Sequence, residues 1–268
     1  MPVQPIRPFN DDRVAHKTAV LNGYTYHYLY AVPSSGKWSE TVFLIHGWPD
    51  LSLGWRYQIP LLLDLGFRVV APDMMGYGGT EYFSTEQLVK GPLPQFAYQL
   101  HLASGEVEKS VKDETTIRQF LKGVYGARGP EGELVFVPEK GVLAENLGKV
   151  GESRVLNGEV LDYYVQQYSR HGVHPTLNWY RQRRTNWEED QALLDKKTIH
   201  QPVLFIQAAY DSVLKPEMSK SMDVLIPKLT RGEVAATHWA LTQKPDDVNA
   251  LIRQWLEKEG LVKAKSAL

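Results

Sequence analysis

The residues of this sequence that could do chemistry stand at the ends of apolar runs. Val42-Phe43-Leu44-Ile45 is too short for a helix but suits a strand buried on both faces of a parallel sheet. It runs straight into His46-Gly47-Trp48-Pro49-Asp50. Gly47 can take backbone angles closed to other residues, while Pro49 fixes its own φ and restrains Trp48. The segment therefore reads as a shaped turn at a strand's carboxyl end, the edge at which open α/β sheets bind ligands. Two further candidates share that edge. Asp211 stands just past the buried strand that ends at Gln207, and His238 follows the last strand, Arg231 to Ala235, 27 residues beyond the aspartate. A carboxylate beside an imidazole fixes its tautomer and stabilises its cation, so the other ring nitrogen can take a proton from water. Asp50 and Asp73 are turn residues first, with Asp73 the carboxylate to inspect as a substitute nucleophile.

Other chemistry finds little footing. The chain has no cysteine, which removes disulfides, thiolate catalysis and Cys-based metal sites. Eight histidines lack H-E-x-x-H spacing, so no metal site is expected. Gly76-Tyr77-Gly78-Gly79 follows the second core strand and is not a dinucleotide fingerprint. Lys plus Arg is 30 against 31 for Asp plus Glu, so no nucleic acid or anionic membrane is recruited and a small neutral ligand fits better. The cluster Arg181, Arg183 and Arg184 beside Glu188-Glu189-Asp190 reads as a solvated face. With no apolar h-region at the N-terminus and no membrane-length apolar run, the expected location is cytoplasmic. Ser266-Ala267-Leu268 gives a faint peroxisomal alternative.

The elements that must position these residues follow from pattern. Thr18 to Leu21 and Tyr24 to Tyr30 alternate around Asn22-Gly23, a hairpin signal. Gly54 to Leu65 holds apolar residues at helical intervals and ends at Gly66, where a left-handed cap belongs. Phe67 to Ala71 is then a strand parallel to the first. From Pro94 to about Asp190 come charged helical segments, Val107 to Gly123, Leu161 to His171 and Thr176 to Asp190, with Gly126 to Lys140 as a joining loop. A helical insertion between two halves of a parallel sheet is a lid. The sheet resumes at Gln201 to Gln207, and a helix from Pro245 to Glu257 packs Val248, Leu251, Ile252 and Trp255 against it.

VFLIHGWPD, FRVVAPDMMGYGGTE, GPLPQFAYQL, TLNWYR, FIQAAYDSVL and ATHWAL, in that order, together resemble the soluble-type epoxide hydrolases of the α/β-hydrolase family. The likeness covers nearly all of the chain after about Thr18. It implies an α/β fold with a mostly parallel sheet, a discontinuous core over 1–93 and 191–268, a helical cap over 94–190, and no cofactor. It further implies Asp211 and His238 as the acid and base of a triad. Tyr98 and Tyr180 match the cap tyrosines whose phenols donate to the epoxide oxygen, and Tyr163, Tyr164 and Tyr168 are helix packing. His46 would brace its loop while the Trp48 backbone N–H helps form an oxyanion hole. Gly47, Pro49, Trp179 and Trp239 would line the substrate side.

One family element is missing from the text. An α/β hydrolase presents its nucleophile on a G-x-Nu-x-G turn after a helix and a strand, yet Glu81 runs directly into YFSTEQLVKGPLPQF and no such turn occurs elsewhere. Two βα units, roughly 60 or more residues, are absent by this reading. In the family's strand order they belong to the middle of the sheet, so the flanking strands must close up or leave a gap of roughly 10 Å. An open edge there would pair with other chains, and a homodimer is one outcome. The sequence leaves three readings: an epoxide hydrolase homologue in which Asp211 and His238 activate water directly, a binding protein that keeps an aromatic pocket for a small neutral or apolar epoxide-like ligand, or a shortened product of a longer enzyme.

Overall fold

The alternation on either side of Asn22-Gly23 forms β1 (Ala15–Leu21) and β2 (Tyr24–Ala31), paired antiparallel from Ala15 with Tyr30 to Leu21 with Tyr24. The computed structural model describes residues 3–21, 24–74, 94–182, 185 and 198–262. The turn Asn22-Gly23, the loop 75–80, the Glu81-Tyr82 joint, Arg183, Arg184, Glu188 to Asp190 and the C-terminal Ser266-Ala267-Leu268 lie outside the described residues.

β3 (Thr41–Phe43) and β4 (Arg68–Pro72) are parallel, and β4 also pairs antiparallel with β2, giving a four-stranded sheet in the order β1-β2-β4-β3. Between them the chain makes a short 3-10 turn, Ser52–Trp55, and then α1 (Gln58–Asp64). The expected single helix from Gly54 is thus split. Its end is as expected: Gly66 has φ +85°, Gly66 N–H donates to Leu63 O at 3.0 Å and Phe67 N–H to Leu62 O at 3.0 Å. A glycine suits that left-handed position because it has no Cβ.

The helical layer begins at the 3-10 turn Pro94–Phe96. It contains α2 (Tyr98–Ala103), α3 (Glu106–Ser110), α4 (Glu114–Val124), α5 (Gly158–Ser169) and α6 (His174–Arg181). The helix expected from Val107 to Gly123 is two helices. Asp113 leaves the helical region and caps α4, its carboxylate accepting Thr116 N–H at 2.8 Å while the Thr116 hydroxyl accepts Asp113 N–H at 3.1 Å. The joining loop carries a small hairpin of β5 (Phe136–Val137) and β6 (Gly141–Val142). Phe120, Leu121, Tyr164 and Leu177 are fully buried beneath this layer, in one core with Leu29, Val69 and Ala71 of the sheet. Each such side chain contributes roughly 1.5–3 kcal/mol relative to exposure.

The chain then forms β7 (Val203–Ala208), α7 (Met222–Leu225), β8 (Leu229–Val234), α8 (Ala240–Gln243) and α9 (Pro245–Lys258). β7 and β8 pair parallel as a separate two-stranded sheet. Among the described residues, parallel pairing is confined to β3–β4 and β7–β8, because the N-terminal hairpin adds two antiparallel ladders. The expectation of a first strand covered on both faces is corrected here. Leu44 is buried, but Phe43 is 65% and Ile45 51% exposed, so one face of the strand is covered and the other open. No helix among the described residues is long and apolar enough to cross a membrane.

Candidate active site

The turn after β3 is held from within. His46 is buried; its Nε2 accepts Met74 N–H at 3.0 Å, so Nδ1 carries the hydrogen and donates to Gly47 O at 2.9 Å. Asp50 N–H closes the bend onto the same Gly47 oxygen at 2.9 Å, and the Trp48–Pro49 bond is cis. These two ring hydrogen bonds of His46 tie the turn to the residue after Asp73. The expectation that Gly47 needs special angles is corrected: its φ lies outside the left-handed region and a Cβ there would meet nothing within 4 Å. The hydrogen bond across the bend makes the turn without that freedom.

Above the turn the helical layer delivers the two tyrosines. Tyr98, at the start of α2, and Tyr180, in the last turn of α6, meet edge to face with ring centroids 5.7 Å apart. The Trp48 ring stands 5.3 Å from Tyr180, and Phe136 lies 5.3 Å from Tyr98, so one aromatic cluster covers the strand end. Among the described residues the buried Trp48 indole N–H has no hydrogen-bond partner. Burial, with the nearby Tyr98 phenol adding to it, pushes the Tyr180 phenol well above its ordinary value. It stays protonated at neutral pH and suits donation to a developing alkoxide. Trp179 between buried Asn178 and Tyr180 is 46% exposed and faces away from that burial.

On the other sheet, Asp211 sits immediately after β7 in a tight side-chain turn. Its Oδ1 accepts Val213 N–H at 2.8 Å and Leu214 N–H at 2.9 Å, and its Oδ2 meets His238 Nδ1 at 2.8 Å. Burial opposes the charge, but the hydrogen bond and charge of His238 and the two N–H groups outweigh it and hold the carboxyl below its usual range. Nδ1 is thereby committed, leaving His238 Nε2 for proton transfer. The Trp239 indole stacks on buried Tyr125 at 3.9 Å and 20°.

Three contacts were not foreseen. Tyr164 and Tyr168, one turn apart on α5, are more than helix packing: the Tyr164 hydroxyl donates to the Asp50 carboxylate and the Tyr168 hydroxyl to Pro49 O at 2.6 Å. Their i, i+4 spacing was the available signal. Gly54 completes this seat, since a Cβ there would lie 2.2 Å from Asp50 Oδ2. Contacts thus run from Tyr180 and Trp48 through Asp50, Tyr164 and Tyr125 to Trp239 beside His238. Asp73 is committed elsewhere, Oδ1 to Ser52 N–H at 2.9 Å and Oδ2 to His27 at 2.6 Å, which fits a turn residue better than a substitute nucleophile.

Residues 40–82 match the model of the α/β-hydrolase fold, a match that stops at the Glu81-Tyr82 joint. Over 332 aligned positions the chain is 33% identical to the epoxide hydrolase srdG of Neurospora crassa, covering 93% of this chain and 97% of that protein. A chain of 268 residues cannot fill 332 positions, so upwards of sixty residues of the fungal protein have no counterpart here. The bifunctional epoxide hydrolase 2 of Mus musculus is 28% identical over 94% of this chain, which spans 57% of that longer protein. Among solved structures, epoxide hydrolase A from Mycobacterium thermoresistibile superposes with a TM-score of 0.68 at 21% identity, covering 91% of this chain and 98% of that one. VrEH1 from Vigna radiata gives 0.69 at 20%, covering 92% and 98%. At such identities these two establish the fold, and the fungal relative establishes the family: the chain belongs to the epoxide hydrolases of the α/β-hydrolase family.

Proposed function

We propose that this chain binds a small neutral or apolar epoxide and retains the proton-transfer half of epoxide hydrolysis without the covalent half. In this reading residues 94–190 are the cap and 1–93 with 191–268 the incomplete core, working without a cofactor in a cytoplasmic setting. Tyr98 and Tyr180 donate to the oxirane oxygen, and His238, oriented by Asp211, takes a proton from the attacking water. The observation that carries it is the division of the sheet. Among the described residues β3 ends one sheet and β7–β8 form another, and Phe43 and Ile45 are exposed. The unmatched length of the fungal relative agrees with a loss of about two βα units.

Without a carboxylate held in line, the reaction loses the effective concentration of an internal nucleophile and the split of one barrier into two. General-base assistance alone contributes roughly 10²–10⁴-fold. Diol formation from styrene oxide is therefore expected to be slow and to fall to the buffer rate in His238→Ala. In a single turnover with enzyme in excess in ¹⁸O-labelled water, the diol should carry the label at once. Unlabelled diol with ¹⁸O appearing in the protein would show an ester intermediate and overturn the reading. Saturable binding of the epoxide with no diol at all would leave a binding protein in its place.

A further inference from the structure

A second line of titratable groups lies apart from Asp211 and His238. Its inner end is Asp73, 6% exposed, whose Oδ2 meets His27 Nδ1 at 2.6 Å. His27 Nε2 in turn faces His16 Nδ1 at 2.9 Å, the two rings stacked with centroids 5.1 Å apart. Strand register makes this contact. His16 pairs with Leu29 and His27 with Thr18, so the histidines are diagonal neighbours on one face of the hairpin. At its outer end His16 packs against Tyr163 of α5, itself held edge-on by Phe9 at 5.4 Å. The charged and titratable groups facing His16 are His27 from β2, Asp73 from the end of β4, and Tyr163 and Arg170 from α5 and its cap. At the inner end Asp73 also takes Ser52 N–H at 2.9 Å, and the next residue, Met74, donates to His46 at 3.0 Å. One line of contacts therefore joins α5, the hairpin and the turn at His46 to Pro49.

We propose that His16, His27 and Asp73 form an acid-operated latch between the N-terminal hairpin, helix α5 and the loop below the turn. The proton count sets its behaviour. The space between His27 Nε2 and His16 Nδ1 holds one hydrogen, donated by either ring to the lone pair of the other. His27 Nδ1–H serves Asp73 throughout. With neither ring or one ring cationic, the line stays hydrogen-bonded. With both cationic, two N–H groups point at one another 2.9 Å apart and the contact must open, pushing His16 against Tyr163 and towards the Arg170 charge. The physical environment resists that second proton. His16 is exposed on the hairpin, and partial desolvation where it packs on its neighbours, then the charge of His27, hold it below the usual imidazole range, while Asp73 pulls the other way and Arg170 adds to the lowering. An imidazole depressed in the folded state contributes stability that is full above its unfolded value of about 6.5 and is lost as pH falls below it. The latch is closed at neutral pH and opens on acidification.

The inference rests on β1, β2, α5 and Asp73 and is independent of whether the chain turns over an epoxide. The test uses the full chain, following the ¹⁵N signals of the imidazoles through a pH titration and comparing hydrogen exchange at about pH 7.5 and about pH 5.5, corrected for intrinsic rates, with His16→Gln. Gln keeps a hydrogen-bonding side chain that does not titrate. His16 should titrate below the ordinary imidazole range, and residues 15–21 and 158–169 should lose protection in acid in the wild type but not in the variant. Exchange across Val203–Ala208 should change equally in both. Titration of His16 at the free-imidazole value, or the same acid response in wild type and variant, would overturn the latch. The wild-type titration decides the matter by itself if the variant does not fold.

Discussion

Two carboxylate–imidazole pairs, Asp73 with His27 and Asp211 with His238, sit on halves of the molecule that are built differently. The first belongs to the four-stranded sheet, whose Val69 and Ala71 are wholly buried in a core continuous with Phe120, Leu121 and Leu177 of the helical layer. The second stands on β7–β8, where the buried apolar cluster is Val234, Ala236 and Val248, with Ile206 and Leu251 packed partly against it. The pairs are nonetheless nearly equal in geometry, 2.6 and 2.8 Å. A side-chain turn fixes Asp211 locally, so the pair needs no deep core beneath it. What joins the halves is α9 and its approach rather than a strand ladder. Asn249 accepts from Gln58 at 3.2 Å and donates to Tyr57 O at 2.9 Å, and Arg56 reaches Thr242 at 3.4 Å. Trp239 on Tyr125 adds a second tie.

The comparison breaks first on the thick side. Phe120→Ala empties a site in the continuous core and should cost about 3–5 kcal/mol, read by urea denaturation. If α9 couples the halves well, β7–β8 should unfold in the same transition. If it does not, hydrogen exchange over Val203–Ala208 should be unaltered by the substitution, and the halves are separate cooperative units.

Two glycines sharpen the contrast at a smaller scale. In α4 a Cβ on Gly123 would lie 2.3 Å from Val135 Cβ, a branched atom that cannot swing aside in a buried site. Overpacking of about 1–3 kcal/mol exceeds the helix-propensity gain of up to about 1 kcal/mol, so Gly123→Ala should destabilise. In β8 a Cβ on Gly232 would meet Leu251 Cδ1 at 2.9 Å, the far end of a flexible, partly buried side chain. Gly232→Ala should cost less than about 1 kcal/mol, because the thin half has room to shift. Equal losses in thermal melts would remove the distinction between the halves.

How much of this was legible in the sequence depended on whether the signal was local. Asp211 and His238 could be read because each follows a strand, and Gly66 because a helix end needs a left-handed residue. Tyr98 and Tyr180 needed the family likeness, since nothing in one tyrosine among 14 announces a partner across the fold. The exposure of Phe43 and Ile45 ran against the pattern: an apolar run records what a strand was shaped to be covered by, not what covers it. The roles of Tyr164 and Tyr168 were hidden in packing, because their hydroxyls act on a loop more than a hundred positions away. The split at Val111 to Asp113 was hidden by an apolar period that continues through it, though Asp113 was in place as a cap.

The charge of Asp211 tests the thin side directly. In Asp211→Asn the amide oxygen can still accept from Val213 and Leu214, so the turn after β7 survives and the charge beside His238 is what goes. The imidazole is 38% exposed, which places the loss near the range of solvent-screened pairs, about 1 kcal/mol. Its pH dependence has a definite sign. A carboxyl held low in the folded state contributes stability above its unfolded value of about 4, and that contribution is lost as pH falls through the lower folded value. Wild type and variant should therefore differ most at neutral pH and converge in acid below about 4. A gap that stayed unchanged from neutral pH into acid well below about 4 would show that the charge of Asp211 is not what the substitution removes.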